Sequence, residues 1–137
     1  MHAADAGRVL NPLQCRGQVE GAVAQALGAT PFENVRLDGR GEVTTAAFRQ
    51  YRFPHFADVP RIEVHFAETT DTIGPLGAES MRESPFNPVA PAFATAPRDA
   101  TGIRFTETPT TSDRVWLALD RQGAVDYAAD RSEDGHT

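Results

Sequence analysis

Lysine is absent from this 137-residue chain: all thirteen basic residues are arginine, set against nineteen acidic ones for a net charge of -6. A chain with a pI near 5.1 is repelled by phosphate backbones, which argues against a nucleic-acid partner. There is one cysteine, Cys15, so neither an internal disulfide nor a thiolate cluster for zinc can form within the chain. No apolar run approaches the roughly 18 residues of a membrane span, and the N-terminus lacks the basic-then-apolar pattern of a signal peptide. The expectation is a cytoplasmic protein with no membrane partner. Also missing are a glycine-rich phosphate fingerprint leading into a helix, a P-loop lysine, G-x-S-x-G and H-E-x-x-H, so those reaction classes lose support. His55 and His65 have no third ligand at ordered spacing and read as surface histidines, and Cys15 reads as a small buried hydrophobe. No metal site is expected from them.

Forty per cent hydrophobic and 23% charged residues in a chain of this length suit one modest globular domain. Residues 1–11, with apolar Val9 and Leu10 behind Gly7, read as a short strand that begins almost at Met1, and a domain that opens inside a strand is expected to be part of a larger one. Asn11 and Pro12 supply an N-cap and first-turn proline, Gly28 a stop, and Val19, Ala22, Val23, Ala26 and Leu27 one apolar stripe, which predicts a helix over 12–27. Gln18, Gly21 and Gln25 fall on another, small and polar face, where Gly21 suggests that something comes close to the backbone. Gly39 and Gly41 between residues 34–38 and 42–50 predict a hairpin, and clean alternation over 61–68 predicts a half-buried strand. Residues 69–88 read as a long loop. A second helix is expected over 88–100, with Val89, Phe93, Ala96 and Ala100 on one face and Pro97 as a kink. Residues 103–106 and 114–119 read as two further short strands.

The long loop contains Gly74-Pro75-Leu76-Gly77-Ala78-Glu79-Ser80-Met81-Arg82-Glu83, in which Glu79 and Glu83 are candidates for acid or base work. Spacing alone leaves them equally well read as solvated carboxylates.

Five motifs recur in one order: Asp5-x-Gly7-Arg8-Val9-x-Asn11-Pro12; Gly17-Gln18-x-Glu20-Gly21; Tyr51-x-Phe53-Pro54 with Asp58-x-Pro60; Gly74-Pro75-x-Gly77-Ala78 up to Glu83; and Asp99-Ala100-Thr101-Gly102. Together they resemble the C-terminal part of the molybdopterin-binding large subunit of the xanthine dehydrogenase and aldehyde oxidase family, over roughly residues 3–119. The resemblance implies an oxidoreductase that inserts a water-derived oxygen into a C–H bond at a molybdenum-molybdopterin cofactor. It implies that Glu83 is the catalytic base, that Gln18 contacts the cofactor, and that Gly17 and Gly21 flank that contact. The implied partners are the remaining large-subunit portion and iron-sulfur and FAD subunits or domains, with an aldehyde or N-heterocycle as substrate. The family loop's lysine and two glycines are replaced here by Glu79, Ser80 and Arg82.

The expected fold is α+β, a small mixed sheet packed by two helices. Residues 1–119 form a partial molybdopterin-binding domain, and 120–137 an acidic disordered tail. The chain is read as a fragment or separately encoded piece of a molybdenum hydroxylase, catalytic only when assembled and inactive alone. The alternative is a non-catalytic remnant or paralogue that at most binds a partner.

Overall fold

The structure is a computed structural model that describes residues 1–81 and 83–123. In chain order these form β1 (His2–Ala4), α1 (Pro12–Ala29), β2 (Val64–Phe66), α2 (Val89–Thr101) and α3 (Ser112–Arg121). Short 3-10 turns stand at Phe56–Asp58 and Pro75–Gly77. The α+β class holds, but the sheet is two parallel strands, with His2, Ala3 and Ala4 opposite Val64, His65 and Phe66. Antiparallel pairing among the described residues is confined to the isolated bridges Gly7–Ala78 and Leu37–Val43.

Helix α1 begins where the sequence signals place it. Asn11 is extended, its side chain accepts a hydrogen bond from the Gln14 N–H at 3.1 Å, and Pro12 needs no donor partner in the first turn. The exposed i,i+4 pair Arg16–Glu20, at 2.8 Å, adds little. Val19 and Ala26 on the predicted stripe are fully buried, and Ala22, Val23 and Leu27 half-buried, against α2 and β2. Gly28, expected as a left-handed stop, lies inside the helix instead, which runs on to Ala29. Its role is space: a Cβ there would collide with Glu33 and stand 2.8 Å from Cδ of Pro54.

The other sequence-derived elements fare unevenly. The strand expected over 1–11 forms at His2–Ala4, close to Met1 as expected, and is shorter than the span, leaving Val9 and Leu10 outside it. The 34–50 hairpin shrinks to the Leu37–Val43 bridge and its neighbouring bonds, with Gly41 alone of the two glycines at positive φ. The alternation over 61–68 is real, with Ile62, Val64 and Phe66 inward, although only Val64–Phe66 pairs. Helix α2 runs through Pro97, and its inward side is Val89, Ala90, Phe93, Ala94 and Pro97, whereas Ala96 and Ala100 are exposed. Residues 103–106 form no strand, and 114–119 belong to α3. The helix wins because Val115, Ala118 and Leu119, at i, i+3 and i+4, can be half-buried together while Leu117 faces out; strand alternation would have grouped Val115, Leu117 and Leu119. Of the expected tail, Asp120 and Arg121 end α3, and residues 124–137 lie outside the described residues.

Few groups are fully enclosed. Among the described residues the buried apolar side chains are Ala6, Val19 and Ala26, and Pro85 is fully buried as well, while Phe56 is 99% exposed, Ile73 92%, Phe48 84% and Leu13 81%. Large apolar groups left in water at this density mark surfaces that other protein ordinarily covers. Buried Thr30 and Thr110 tie the end of α1 to the approach of α3: the Thr110 N–H donates to the Thr30 carbonyl at 2.7 Å, and the Thr30 hydroxyl donates to the Ala26 carbonyl at 2.7 Å.

Candidate functional site

The loop over residues 74–79 is clamped against the segment that leaves β1. The Arg8 N–H donates to the Gly77 carbonyl at 2.6 Å, and the Glu79 N–H to the Ala6 carbonyl at 2.9 Å. Gly7 makes this approach possible: its φ is +56°, and a Cβ there would stand 2.6 Å from the Gly77 oxygen and 3.0 Å from the Glu79 nitrogen. Gly74 is required for room as well, since a Cβ would collide with the Ala78 carbonyl oxygen. The Asp5 carboxylate accepts from the Thr69 hydroxyl and from the Gly7 N–H, in that order of weight, and these bonds hold its pKa below the ordinary 3.8. Asp71 accepts from the Ile73 and Gly74 N–H groups at 3.0 and 2.9 Å. Two motifs sixty to seventy residues apart in sequence thus form one unit.

Glu83 follows that unit, with an exposed side chain. Its carbonyl accepts from the Phe86 and Asn87 N–H groups at 3.0 and 3.3 Å, and Pro85, fully buried, anchors the turn that leads into α2. Glu79 and Ser80 are exposed, and Arg82 lies outside the described residues. Ser80 stands without backbone strain, because among the described residues of this loop the positive φ angles fall at Leu76 (+59°) and Gly77 (+77°).

Gln18, Gly17 and Gly21 lie exposed on α1, and the Gln18 side chain makes no hydrogen bond among the described residues. A Cβ at Gly17 or Gly21 would meet nothing within 4 Å, so no described part of the chain makes the close approach expected at Gly21. No hydrogen bond or ion pair joins this strip to Glu83 among the described residues. The two remaining motifs are architectural. Tyr51 donates to Glu33 at 2.6 Å, which raises the Tyr51 pKa, and Pro54 packs on Gly28. Asp58 accepts from the His55 N–H, the main cause of its lowered pKa, and from Arg52. Gly102, at φ +77°, stops α2 in the left-handed cap, and the Thr101 hydroxyl donates to the Pro97 carbonyl at 2.6 Å. His55 is therefore part of a turn, and His65 is exposed on β2. Among the described residues no group of three His, Cys, Asp or Glu could hold a metal ion, and no helix is long and apolar enough to cross a membrane.

The arrangement offers two exposed carboxylates, Glu79 at the end of the clamped loop and Glu83 just beyond it, and the exposed Gln18 amide flanked on α1 by Gly17 and Gly21. Residues 1–60 match the model of the molybdopterin cofactor-binding domain family. The chain belongs to the molybdenum-binding subunits of the xanthine dehydrogenase and aldehyde oxidase family. Among its relatives, the probable hypoxanthine oxidase XdhD of Escherichia coli (strain K12) is 36% identical over 118 residues, covering 85% of this chain and 12% of that protein. The aldehyde oxidoreductase molybdenum-binding subunit PaoC of the same strain is 38% identical over 112 residues, covering 80% of this chain and 15% of that one. The crystal structure of quinoline 2-oxidoreductase from Pseudomonas putida 86 superposes with a TM-score of 0.80 at 28% identity, over 86% of this chain and 15% of that chain. The chain thus spans a small part of the length of the relatives it matches.

Proposed function

We propose that this chain is a piece of a molybdenum hydroxylase that works when joined to the rest of a molybdenum-binding subunit, with Glu83 as its catalytic base and Gln18 as a cofactor contact. The observation that supports this most is the clamped loop: the chain commits Gly7, Gly74, Asp5 and Asp71 to holding residues 74–79, and the exposed carboxylate of Glu83 stands just beyond. The fit to the cofactor is of one side only. The Gln18 amide has no protein partner among the described residues, and Gly17 and Gly21 add no side chain, so a bulky group can reach the α1 backbone. Enclosing a large anionic pterin takes donors from several loops, which falls to the remaining subunit portion.

When bound, a pterin-held molybdenum supplies the redox chemistry. The part of this chain is acid–base: a Glu83 Oε takes the proton released as a water-derived oxygen adds to the electrophilic carbon of an aldehyde or N-heterocycle. Electrons then leave toward iron-sulfur and FAD subunits or domains. A second reading, a non-catalytic remnant, is favoured by Glu79, Ser80 and Arg82 in place of the family's lysine and glycines.

A chimera in which this chain replaces the matched segment of E. coli PaoC separates the two. Turnover of aldehyde is expected, and Glu83→Gln is expected to lower it about 10²- to 10⁴-fold with molybdenum content unchanged. Near-normal turnover in that variant removes Glu83 from the mechanism. A chimera that retains molybdenum but turns nothing over supports the remnant.

A further inference from the structure

Away from the loop and the glycine strip, the two-stranded sheet ends in open edges. In parallel pairing each strand turns alternate peptide groups toward its neighbour. The His2 N–H donates to the Glu63 carbonyl at 2.7 Å and the Ala67 N–H to the Ala4 carbonyl at 2.9 Å. With His2 opposite Val64 in the register, Glu63, His65 and Ala67 therefore face β1, and the N–H and C=O groups of Val64 and Phe66 point the other way. None of those four groups has a hydrogen-bond partner among the described residues. One step earlier on the same edge, the Ile62 carbonyl accepts from the Arg16 guanidinium at 3.5 Å. Val64 and Phe66 are only half-buried and border an open groove of about 610 Å³ shared with Arg8, Val9 and Pro12, so solvent reaches them. All-parallel sheets occur almost only where both faces are covered. Here α1 packs on β2, while Ala3 and His65 on the opposite face are exposed, so the pair is part of a layer rather than a whole one.

From this edge we propose that β2 takes on an added strand, an extended segment of the remaining portion of the molybdenum-binding subunit, whose backbone pairs with Val64 and Phe66. Chemistry sets the form of the occupant. Donors and acceptors spaced along an extended backbone are matched by another extended backbone, and the main-chain bonds then supply the affinity. Length sets its source: the chain spans a small part of the relatives it matches, so a subunit that contains it has ample peptide to provide the strand. Charge sets a second copy aside, since two chains that each carry a net -6 repel one another. The added strand presupposes that the chain is joined to the rest of a subunit, as in the proposed function, but it requires no role for Glu83 or Gln18.

Hydrogen exchange read residue by residue, on the isolated chain and on the PaoC chimera, reports this pairing independently of turnover. In the isolated chain the Val64 and Phe66 amides are expected to exchange at least about 10²-fold faster than the Ala67 amide, which is bonded to Ala4. In the chimera both are expected to slow until they lie within about tenfold of Ala67. Measuring against Ala67 separates a new bond at the edge from general stabilisation of the fold. A chimera in which Val64 and Phe66 do not slow, or in which their gap to Ala67 stays as wide, overturns the proposal. So does a gap already closed in the dilute isolated chain, or one that closes there as the chain is concentrated, which gives the edge to a second copy. A chimera that closes the gap but turns over no aldehyde keeps the added strand and loses the catalytic reading; one that turns over aldehyde with the gap open does the opposite.

Discussion

The glycines of the 74–79 clamp and those of the α1 strip all belong to the motifs by which the chain resembles its family, yet the structure uses them in opposite ways. At Gly7 and Gly74 a methyl group would strike the chain's own backbone; at Gly17 and Gly21 it would meet nothing within 4 Å among the described residues. The first set is explained within this chain, since without it two distant segments cannot hydrogen-bond. The second has no internal explanation, and glycine inside a helix costs up to about 1 kcal/mol relative to alanine. Glycines that weaken their own helix and pack against nothing among the described residues are the reason the proposed cofactor contact is placed on this strip.

Alanine substitution puts that contrast to measurement. Gly74→Ala is expected to cost about 2–4 kcal/mol, because a backbone oxygen has to move and the clamp opens with it. Loss of amide protection confined to Arg8 and Glu79, in hydrogen exchange, would be its signature. If Gly74→Ala unfolds with the parent's midpoint, the clamp is looser than its geometry. Gly21→Ala is expected to do the reverse to the isolated chain, stabilising α1 by up to about 1 kcal/mol. In the PaoC chimera the same change is expected to lower retained molybdenum, and unaltered retention would mean that the strip faces something other than the cofactor.

The contrast also marks what could be seen from residue order alone. Helix α1 was legible because Asn11, Pro12 and the Val19–Ala26 stripe are local signals that agree with one another. The strand before α1 was legible in position but not in extent, because pairing stops where Val64–Phe66, sixty residues away, ends, and no local pattern reports that partner. Helix α3 was misread because Val115, Leu117 and Leu119 alternate as a strand does, and only packing decides which of them faces inward. Gly28 failed as a stop for the same reason: its room is needed by Pro54, a contact invisible along the chain. Of the site, Glu83 and Gln18 came from family resemblance, whereas the clamp that positions the loop, Asp5 with Thr69 and Asp71 with Gly74, required the fold.

A smaller effect tests the clamp by titration. The Asp5 pKa is held below 3.8, chiefly by the Thr69 hydroxyl and next by the Gly7 N–H. A carboxylate whose folded pKa lies below its unfolded value contributes stability that is present above the unfolded value and lost as pH falls through the folded one. The unfolding midpoint is thus expected to decline as pH drops below 3.8, and Asp5→Asn is expected to flatten the part of that decline due to this group. An unchanged pH profile in the variant would remove Asp5 from the clamp's electrostatics.

The smallest effect lies in the same loop, at Leu76. Its φ of +59° puts a branched side chain in the left-handed region, which costs roughly 1–2 kcal/mol for an ordinary L-residue. Leu76 is 73% exposed, so removing its side chain forfeits little packing. Leu76→Gly relieves the strain but also loosens the unfolded chain, which takes back about 0.4–1 kcal/mol. The balance is a gain of roughly half a kcal/mol, or a rise in melting temperature of about 1–3 °C for a domain of this size. Thermal melts of parent and variant at one protein concentration decide it. A lower melting temperature would mean that the leucine side chain is held by contacts worth more than its strain, and that residues 74–79 are built around Leu76 rather than in spite of it.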